Sequence, residues 1–153
     1  MRPEMIFPTL LGMAVFLGLM AWIIQANAAM WRKVAAQYHG DNRSPILTTK
    51  SIETVVVTER KDGSRLAINA FRNYAGVRMV LRRDGLALSI LPPLNISTPP
   101  LFLPFDEMEL KETSWALWPQ PYAIRMRRAP GLDLIVDRGV ARWIRDHAER
   151  PAL

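Results

Sequence analysis

Side chains that commonly do chemistry are sparse in this sequence. His39 and His147 are the only histidines, they lie far apart in the chain, and there is no cysteine. The sequence contains no phosphate-binding GxxxxGK[ST] loop and no GxGxxG, HExxH or GxSxG motif. We therefore predict a protein that is not an enzyme and that binds no metal or other cofactor.

Asp106, Glu107 and Glu109 form the densest group of carboxylates. Two carboxylates can act as acid and base when their environments separate their pKa values. Here Met108 and Leu110 alternate with the acidic residues, as they would along an extended strand. This alternation favours a solvated strand face over a catalytic pair.

Arginines occur in two short groups that could recognise an anion. Arg82 and Arg83 flank one turn, and Arg125, Arg127 and Arg128 lie near another. Because guanidinium groups bind phosphate well, these five residues are candidates for an anionic lipid headgroup site. A simply solvated or membrane-facing basic surface is the other interpretation. Nucleic acid is not an expected partner, because no aromatic residues interleave with these arginines as a stacking platform requires.

Bulky apolar side chains in loops are candidates for contact with a partner or a membrane. The segments 91–96 and 115–119 carry such side chains where loops are usually polar. Tryptophan is also enriched at protein interfaces and at bilayer surfaces. The alternative is that the loop tryptophans fold back onto the core. The predicted contact residues are Trp22, Trp31, Leu94, Trp115, Leu117 and Trp118.

An uncharged, strongly apolar stretch runs from Ile6 to Met30. About 20 helical residues cross a hydrocarbon core ~30 Å thick. We therefore predict a transmembrane anchor over residues 1–30. A buried core helix is a weaker reading for an uncharged run of this length.

A cleaved signal peptide is the main rival to this anchor. Ala26-Asn27-Ala28 resembles a signal-peptidase site, but the apolar run is longer than the usual core of ~7–15 residues. Arg2 and Glu4 cancel, so the net charge of +6 resides in residues 31–153. This excess of basic residues after the run predicts a single-pass protein of a cell inner membrane with a cytoplasmic C-terminal domain.

Residues 31–45 are predicted to form a short helical connector next to the membrane. Trp31, Val34, Ala35 and Tyr38 recur with helical spacing and form one apolar stripe. Gly40 and the following turn-forming residues then end the helix. A connector this short would hold the attached domain close to the bilayer.

The remaining residues, 46–153, have the pattern of a small mainly antiparallel β domain. About seven short strands alternate with turns, of which Arg83-Asp84-Gly85 is the clearest hairpin signal. An amphipathic helix follows, with Asp137 as its N-cap. The predicted fold class is therefore α+β: a transmembrane helix, then a β sandwich or barrel closed by a C-terminal helix.

Three of these features resemble a bacterial pleckstrin-homology-like domain. They are the strand Gly85-Leu86-Ala87-Leu88-Ser89, the segment Pro100–Phe105 and the C-terminal helix. The stripe Trp31–Tyr38 is similar to a connector found in uncharacterised bacterial single-pass membrane proteins. The resemblance covers residues 46–149 and implies a barrel-like sandwich that binds rather than catalyses. It assigns no functional residue.

The sequence thus leads to two main functional hypotheses. The first is a non-enzymatic accessory or scaffolding subunit that binds a larger integral membrane complex. The second is a peripheral sensor of anionic lipid headgroups that uses the basic face. An exported protein with a cleaved N-terminus is a third, weaker hypothesis.

Overall fold

The computed structural model describes residues 3–40, 43–59, 71–113 and 119–148. Its two α-helices and seven strands confirm the predicted α+β class. The elements are α1 (Pro3–Tyr38), β1 (Ile46–Glu59), β2 (Phe71–Arg82), β3 (Gly85–Ile90), β4 (Leu101–Pro104), a 3₁₀ turn (Phe105–Glu107), β5 (Met108–Glu112), β6 (Tyr122–Met126), β7 (Ala129–Val136) and α2 (Arg138–Ala148).

Helix α1 contains 36 residues and changes environment along its length. From Ile6 to Ile23 its large apolar side chains are exposed, and Phe7 retains 75% of its accessible surface. From Ala28 to Tyr38 one face is buried in the domain. Among the described residues, α1 is the one helix long and apolar enough to span a membrane.

All seven strands form one antiparallel sheet in the order β4-β3-β2-β1-β7-β6-β5. Strands β4 and β5 follow each other in the chain but lie at opposite edges, joined only by Phe105–Glu107. The sheet must therefore curl strongly, since a short connection has limited reach. Within the described residues β4 and β5 share no ladder.

The predicted antiparallel sheet and C-terminal helix are confirmed, but within the described residues the sheet does not close into a barrel. The end of α1 packs against β4, and His39 forms an isolated antiparallel bridge with Leu101. The edge of β4 thus pairs at one point with His39, the residue directly after α1, and not with β5.

The predicted stripe is an apolar face of α1, and this face packs into the domain. Trp31, Val34, Ala35 and Tyr38 are all buried in the same core as the inward-facing strand residues. Residues 31–38 are therefore a core helix of the domain, continuous with the apolar segment before them.

Helix α2 packs on the same core through Val140, Ala141 and Ile144. The Asp137 carboxylate accepts a hydrogen bond of 2.8 Å from the Val140 backbone N–H. This contact confirms Asp137 as the N-cap, which satisfies one of the unpaired donors at the start of the helix.

The hairpin between β2 and β3 also forms as predicted. Leu81 pairs with Leu86 across the Arg83-Asp84 turn. Gly85 is required there, because a Cβ atom would lie 2.4 Å from the Phe102 ring and 2.5 Å from the Leu103 carbonyl oxygen. The β4 backbone can approach β3 this closely only where no side chain intervenes.

Candidate functional site at the helix–domain junction

The junction between the exposed and buried halves of α1 is built around Trp31. Its side chain has no accessible surface, and its indole N–H donates a hydrogen bond of 2.7 Å to the Pro99 carbonyl oxygen. Its ring meets that of Tyr74 edge-on, with centroids 5.1 Å apart. The sequence predicted that Trp31 contacts a partner or the membrane. In the structure the domain itself encloses the indole, so Trp31 does not offer such a surface.

Tyr74 contacts the backbone of α1 at the same level. Its hydroxyl accepts a hydrogen bond of 3.0 Å from the Trp31 backbone N–H and donates one to the Asn27 carbonyl oxygen. These two backbone groups are four residues apart, the spacing that an α-helix pairs directly. The Tyr74 hydroxyl therefore bridges one backbone donor–acceptor pair of the helix and attaches β2 to α1.

The loop 91–98 lies beside α1 at this junction. Gln25 Nε2 donates a hydrogen bond of 2.9 Å to Ser97 Oγ, and the Leu91 N–H donates one of 2.9 Å to the Gly76 carbonyl oxygen. Gly76 has a φ of +67°, and a Cβ there would lie 3.5 Å from a Leu94 methyl group. The loop is thus held by both the helix and β2.

An apolar groove separates this loop from the helix. The groove is open to solvent, and Leu94 and Ile96 on its rim are more than half exposed. The side chains and backbone that line it come from α1, β2 and the loop: Met20, Ile24, Asn27, Ala28, Asn73, Tyr74, Ala75, Ile90, Pro93, Leu94, Ile96 and Thr98.

Charged side chains on α1 begin just after the groove. The Arg32 guanidinium donates hydrogen bonds of 2.8 Å and 3.1 Å to the Gln25 side-chain and backbone oxygens. Lys33 forms an exposed ion pair of 3.2 Å with Glu59 on β1. The change from apolar to charged surface on α1 therefore occurs within about two turns after Ile24.

Trp22 lies on a different side of α1 from the groove. It is 68% exposed. At ~100° per residue, Trp22 lies roughly 200° around the helix from both Met20 and Ile24, which line the groove. Trp22 and the loop 91–98 therefore present two separate apolar surfaces at one level of the helix.

The predicted headgroup arginines lie elsewhere, at two turns of the sheet. Arg82 donates a hydrogen bond of 2.6 Å to the Ser44 carbonyl oxygen, and Arg83 is exposed in the adjoining β2–β3 turn. Arg125 forms an ion pair of 3.9 Å with the buried Asp133, while Arg127 is exposed.

Arg128 is held on the domain surface by several groups. Its Nε lies 2.7 Å from a Glu107 carboxylate oxygen, and its guanidinium lies 4.4 Å from the centre of the Tyr38 ring. The hydrogen bond to Glu107 raises the pKa of the Arg128 guanidinium. The Arg128 backbone N–H also donates a hydrogen bond of 2.9 Å to the Tyr38 hydroxyl. Arg128 thus lies beside the last residue of α1, about 20 Å along the helix from Ile24.

The acidic residues and histidines do not come together. Glu107 pairs with Arg128 and Glu109 with Lys111, while His147 Nδ1 lies 2.8 Å from the Trp143 carbonyl oxygen. Among the described residues there is no group of three His, Asp or Glu side chains that could hold a metal ion.

Trp115, Leu117 and Trp118 lie outside the described residues, so their predicted contact role stays a prediction. Tyr74, Gln25 and Ser97 were missed by sequence reasoning. A tyrosine hydroxyl that bonds backbone 47 residues away leaves no local signal in the sequence.

No protein-family profile matches the chain, and no curated protein matches it significantly. The resemblance to pleckstrin-homology-like domains and the bacterial origin that it implied therefore have no support from relatives.

Proposed function

We propose that this protein is a non-enzymatic accessory subunit whose α1 spans a membrane and whose domain braces a larger integral membrane complex. The observation that carries this proposal is the continuity of α1. One helix is exposed and apolar over residues 6–23 and contributes one face to the domain core over residues 28–38.

The exposed half of α1 fits a bilayer in length and chemistry. Residues 6–24 extend for about 28 Å at ~1.5 Å per residue, close to the ~30 Å hydrocarbon core. Val15, Phe16 and Leu17 are each about 60% exposed, and they lie at successive angles around the helix. A helix that is apolar on all sides needs an apolar solvent.

The contacts at the junction support a retained anchor over a cleaved signal peptide. Ala28 retains only 2% of its accessible surface, and the Asn27 carbonyl oxygen is bonded to the Tyr74 hydroxyl. Residues of the apparent cleavage sequence therefore make contacts with the folded domain.

The continuity of α1 suggests a positional role. A domain on a flexible tether samples many orientations, whereas a domain built around the spanning helix keeps one orientation relative to the bilayer. Trp22 is the strongest candidate for the partner contact, because a large exposed indole near the end of the span suits packing against another membrane helix. The partner that we propose is an integral membrane protein.

The orientation that we propose places the domain in the cytoplasm of a cell with an inner membrane. Arg32, Lys33, Arg43 and Lys50 follow the apolar segment closely, whereas Arg2 before it is offset by Glu4. Basic residues that flank a span favour the cytoplasmic side.

The alternative, a sensor of anionic headgroups, is less well supported. Arg128 lies about 20 Å beyond Ile24 along α1, whereas charges act over a screening length of ~8 Å at physiological salt. Arg82, Arg125 and Arg128 are also engaged with groups of the domain.

Purification from membranes tests the proposed function. The full chain is expected to remain in the membrane during an alkaline wash. After extraction in mild detergent, it is expected to co-elute with an integral membrane protein at fixed stoichiometry. Trp22→Ala is expected to weaken co-elution, whereas Leu47→Ala, an exposed apolar residue at the other end of the domain, is expected to preserve it.

Two results would contradict the proposal. Release of the chain by alkaline washing would contradict the anchor. A lone species whose binding to anionic vesicles is lost on Arg125→Ala and Arg127→Ala would favour the headgroup sensor instead.

A further inference from the structure

We infer that the loop 91–98 is a second membrane contact, which inserts Leu94 and Ile96 among lipid acyl chains beside α1. This inference rests on the proposed membrane-spanning role of α1. It adds a lipid-binding surface on the domain, and it assigns the groove between loop and helix to an acyl chain of the surrounding bilayer.

The loop 91–98 is held in a fixed position at both ends. The Pro99 carbonyl oxygen accepts the Trp31 indole N–H, and Ser97 is bonded to Gln25. At its start, the Leu91 N–H is bonded to the Gly76 carbonyl oxygen. Contacts at both ends hold the exposed side chains at one height along α1.

The loop lies level with the apolar part of the helix. The groove that Leu94 and Ile96 border is lined on its other side by Met20 and Ile24. Both helix residues precede Gln25 and belong to the segment that would lie in the bilayer. Side chains next to them must share that environment.

The exposed surface of the loop is largely apolar. Leu94 is 60% exposed and Ile96 is 52% exposed, and Pro93 is also exposed between α1 and solvent. An apolar loop tip of this kind is unusual at a water-facing surface. Burial of such side chains in an acyl environment is favourable because it removes apolar area from water.

The position of the groove favours lipid over a protein partner as its occupant. The groove is continuous with the helix surface that lipid would already cover, and it faces away from Trp22. The exposed Arg32 lies four residues beyond Ala28 of the groove, and its guanidinium donates hydrogen bonds to Gln25. A cation just above an apolar cleft complements a phospholipid, whose phosphate lies above its acyl chains.

Spin labels at single cysteines test this inference in the full chain, which has no cysteine of its own. Leu94→Cys is compared with Phe16→Cys in the middle of the span and with Leu47→Cys on the domain. Each variant is labelled with a nitroxide and reconstituted in vesicles of phosphatidylcholine and phosphatidylglycerol. Power saturation then compares collisions with oxygen, which partitions into lipid, and with a water-soluble nickel chelate.

The expected result is that Leu94→Cys and Phe16→Cys collide preferentially with oxygen, whereas Leu47→Cys collides preferentially with the nickel chelate. An aqueous signal at Leu94→Cys together with a lipid signal at Phe16→Cys would overturn the second contact and leave the anchor intact. An aqueous signal at both would overturn the anchor and, with it, this inference.

Protection of the Leu94→Cys label from both reagents would also overturn the assignment to lipid. Such protection would mean that protein covers the loop, either a second copy of the chain or another membrane protein. A matched label at Ile96→Cys checks the result, because it should report the same side of the bilayer boundary as Leu94→Cys.

Discussion

The two halves of α1 differ in what surrounds them, although both carry large apolar side chains. Over residues 6–24 the side chains are apolar on all sides and none is enclosed by the domain, whereas over residues 28–38 only one face is apolar and the sheet covers it. Lys33 and Gln37 occupy the opposite, exposed face of the second half. The first half therefore matches a uniform apolar solvent, and the second half matches a one-sided protein core.

The same residue type behaves differently in the two halves. Trp22 is 68% exposed, whereas Trp31 has no accessible surface and a bonded indole N–H. Burial of an aromatic side chain in a protein core contributes several kcal/mol to stability, but contact with lipid or detergent contributes nothing to the fold of the domain. Substitutions in each half should therefore have separable consequences.

The largest effect on folding is expected from Trp31→Ala. Loss of the buried indole should lower the free energy of unfolding by about 3–5 kcal/mol, because the cavity would lie between Tyr74 and the loop carbonyl. Near-UV circular dichroism during thermal unfolding of the full chain in micelles measures this loss. Trp22→Ala is the matched control and should change the midpoint little; equal effects of the two substitutions would invalidate the comparison.

A charge in the first half should act on the membrane and leave the domain intact. Val15→Arg places a guanidinium near the middle of the apolar segment, where insertion costs about 2.5–3.5 kcal/mol. We expect a smaller fraction of the chain to resist alkaline extraction, with unchanged near-UV dichroism of the domain. Val15→Leu controls for the change of size, and unchanged extraction of the arginine variant would argue against a span at this position.

A smaller effect is expected where β2 is attached to the helix. Tyr74→Phe removes the hydroxyl that bridges the Asn27 carbonyl oxygen and the Trp31 N–H. Loss of a buried hydrogen-bonding group costs about 1–3 kcal/mol. Tyr122→Phe is the control, since its hydroxyl donates an exposed hydrogen bond of 3.2 Å to the Glu112 carboxylate. Similar midpoints for both variants would show that the bridge does not stabilise the junction.

The smallest effect is expected at α2, which has no part in the contrast between the halves of α1. Asp137→Ala removes the N-cap of α2 and should cost about 1 kcal/mol. Asp137→Asn keeps an oxygen acceptor and should retain most of the stability. Any change in alkaline extraction of either variant would mean that domain stability and membrane insertion are not separable.

Much of the secondary structure could be predicted from local pattern. The stripe Trp31–Tyr38, the Arg83-Asp84-Gly85 turn and the cap at Asp137 each depend on residues close together in the chain. Such short-range signals are the reliable part of sequence reasoning.

The environment of those elements could not be predicted in the same way. A stripe with helical spacing shows that a face is buried but not what buries it, so Trp31 was assigned to the membrane surface instead of the core. Alternating strands likewise fit an open or a closed sheet equally well. The position of the arginines depends on how β2 and β6 lie relative to α1, which is set by contacts between distant residues.

The central claim is that α1 is one rigid helix that passes from the bilayer into the domain core. A double variant, Leu19→Cys with Gln37→Cys, places spin labels on exposed positions of the two halves and on the same side of the helix. In lipid vesicles, pulsed electron–electron double resonance should give a single narrow distance distribution centred at about 27 Å, the length of five helical turns. A broad or clearly shorter distribution would show that the halves hinge at the junction, and the domain would then be tethered to the membrane instead of fixed against it.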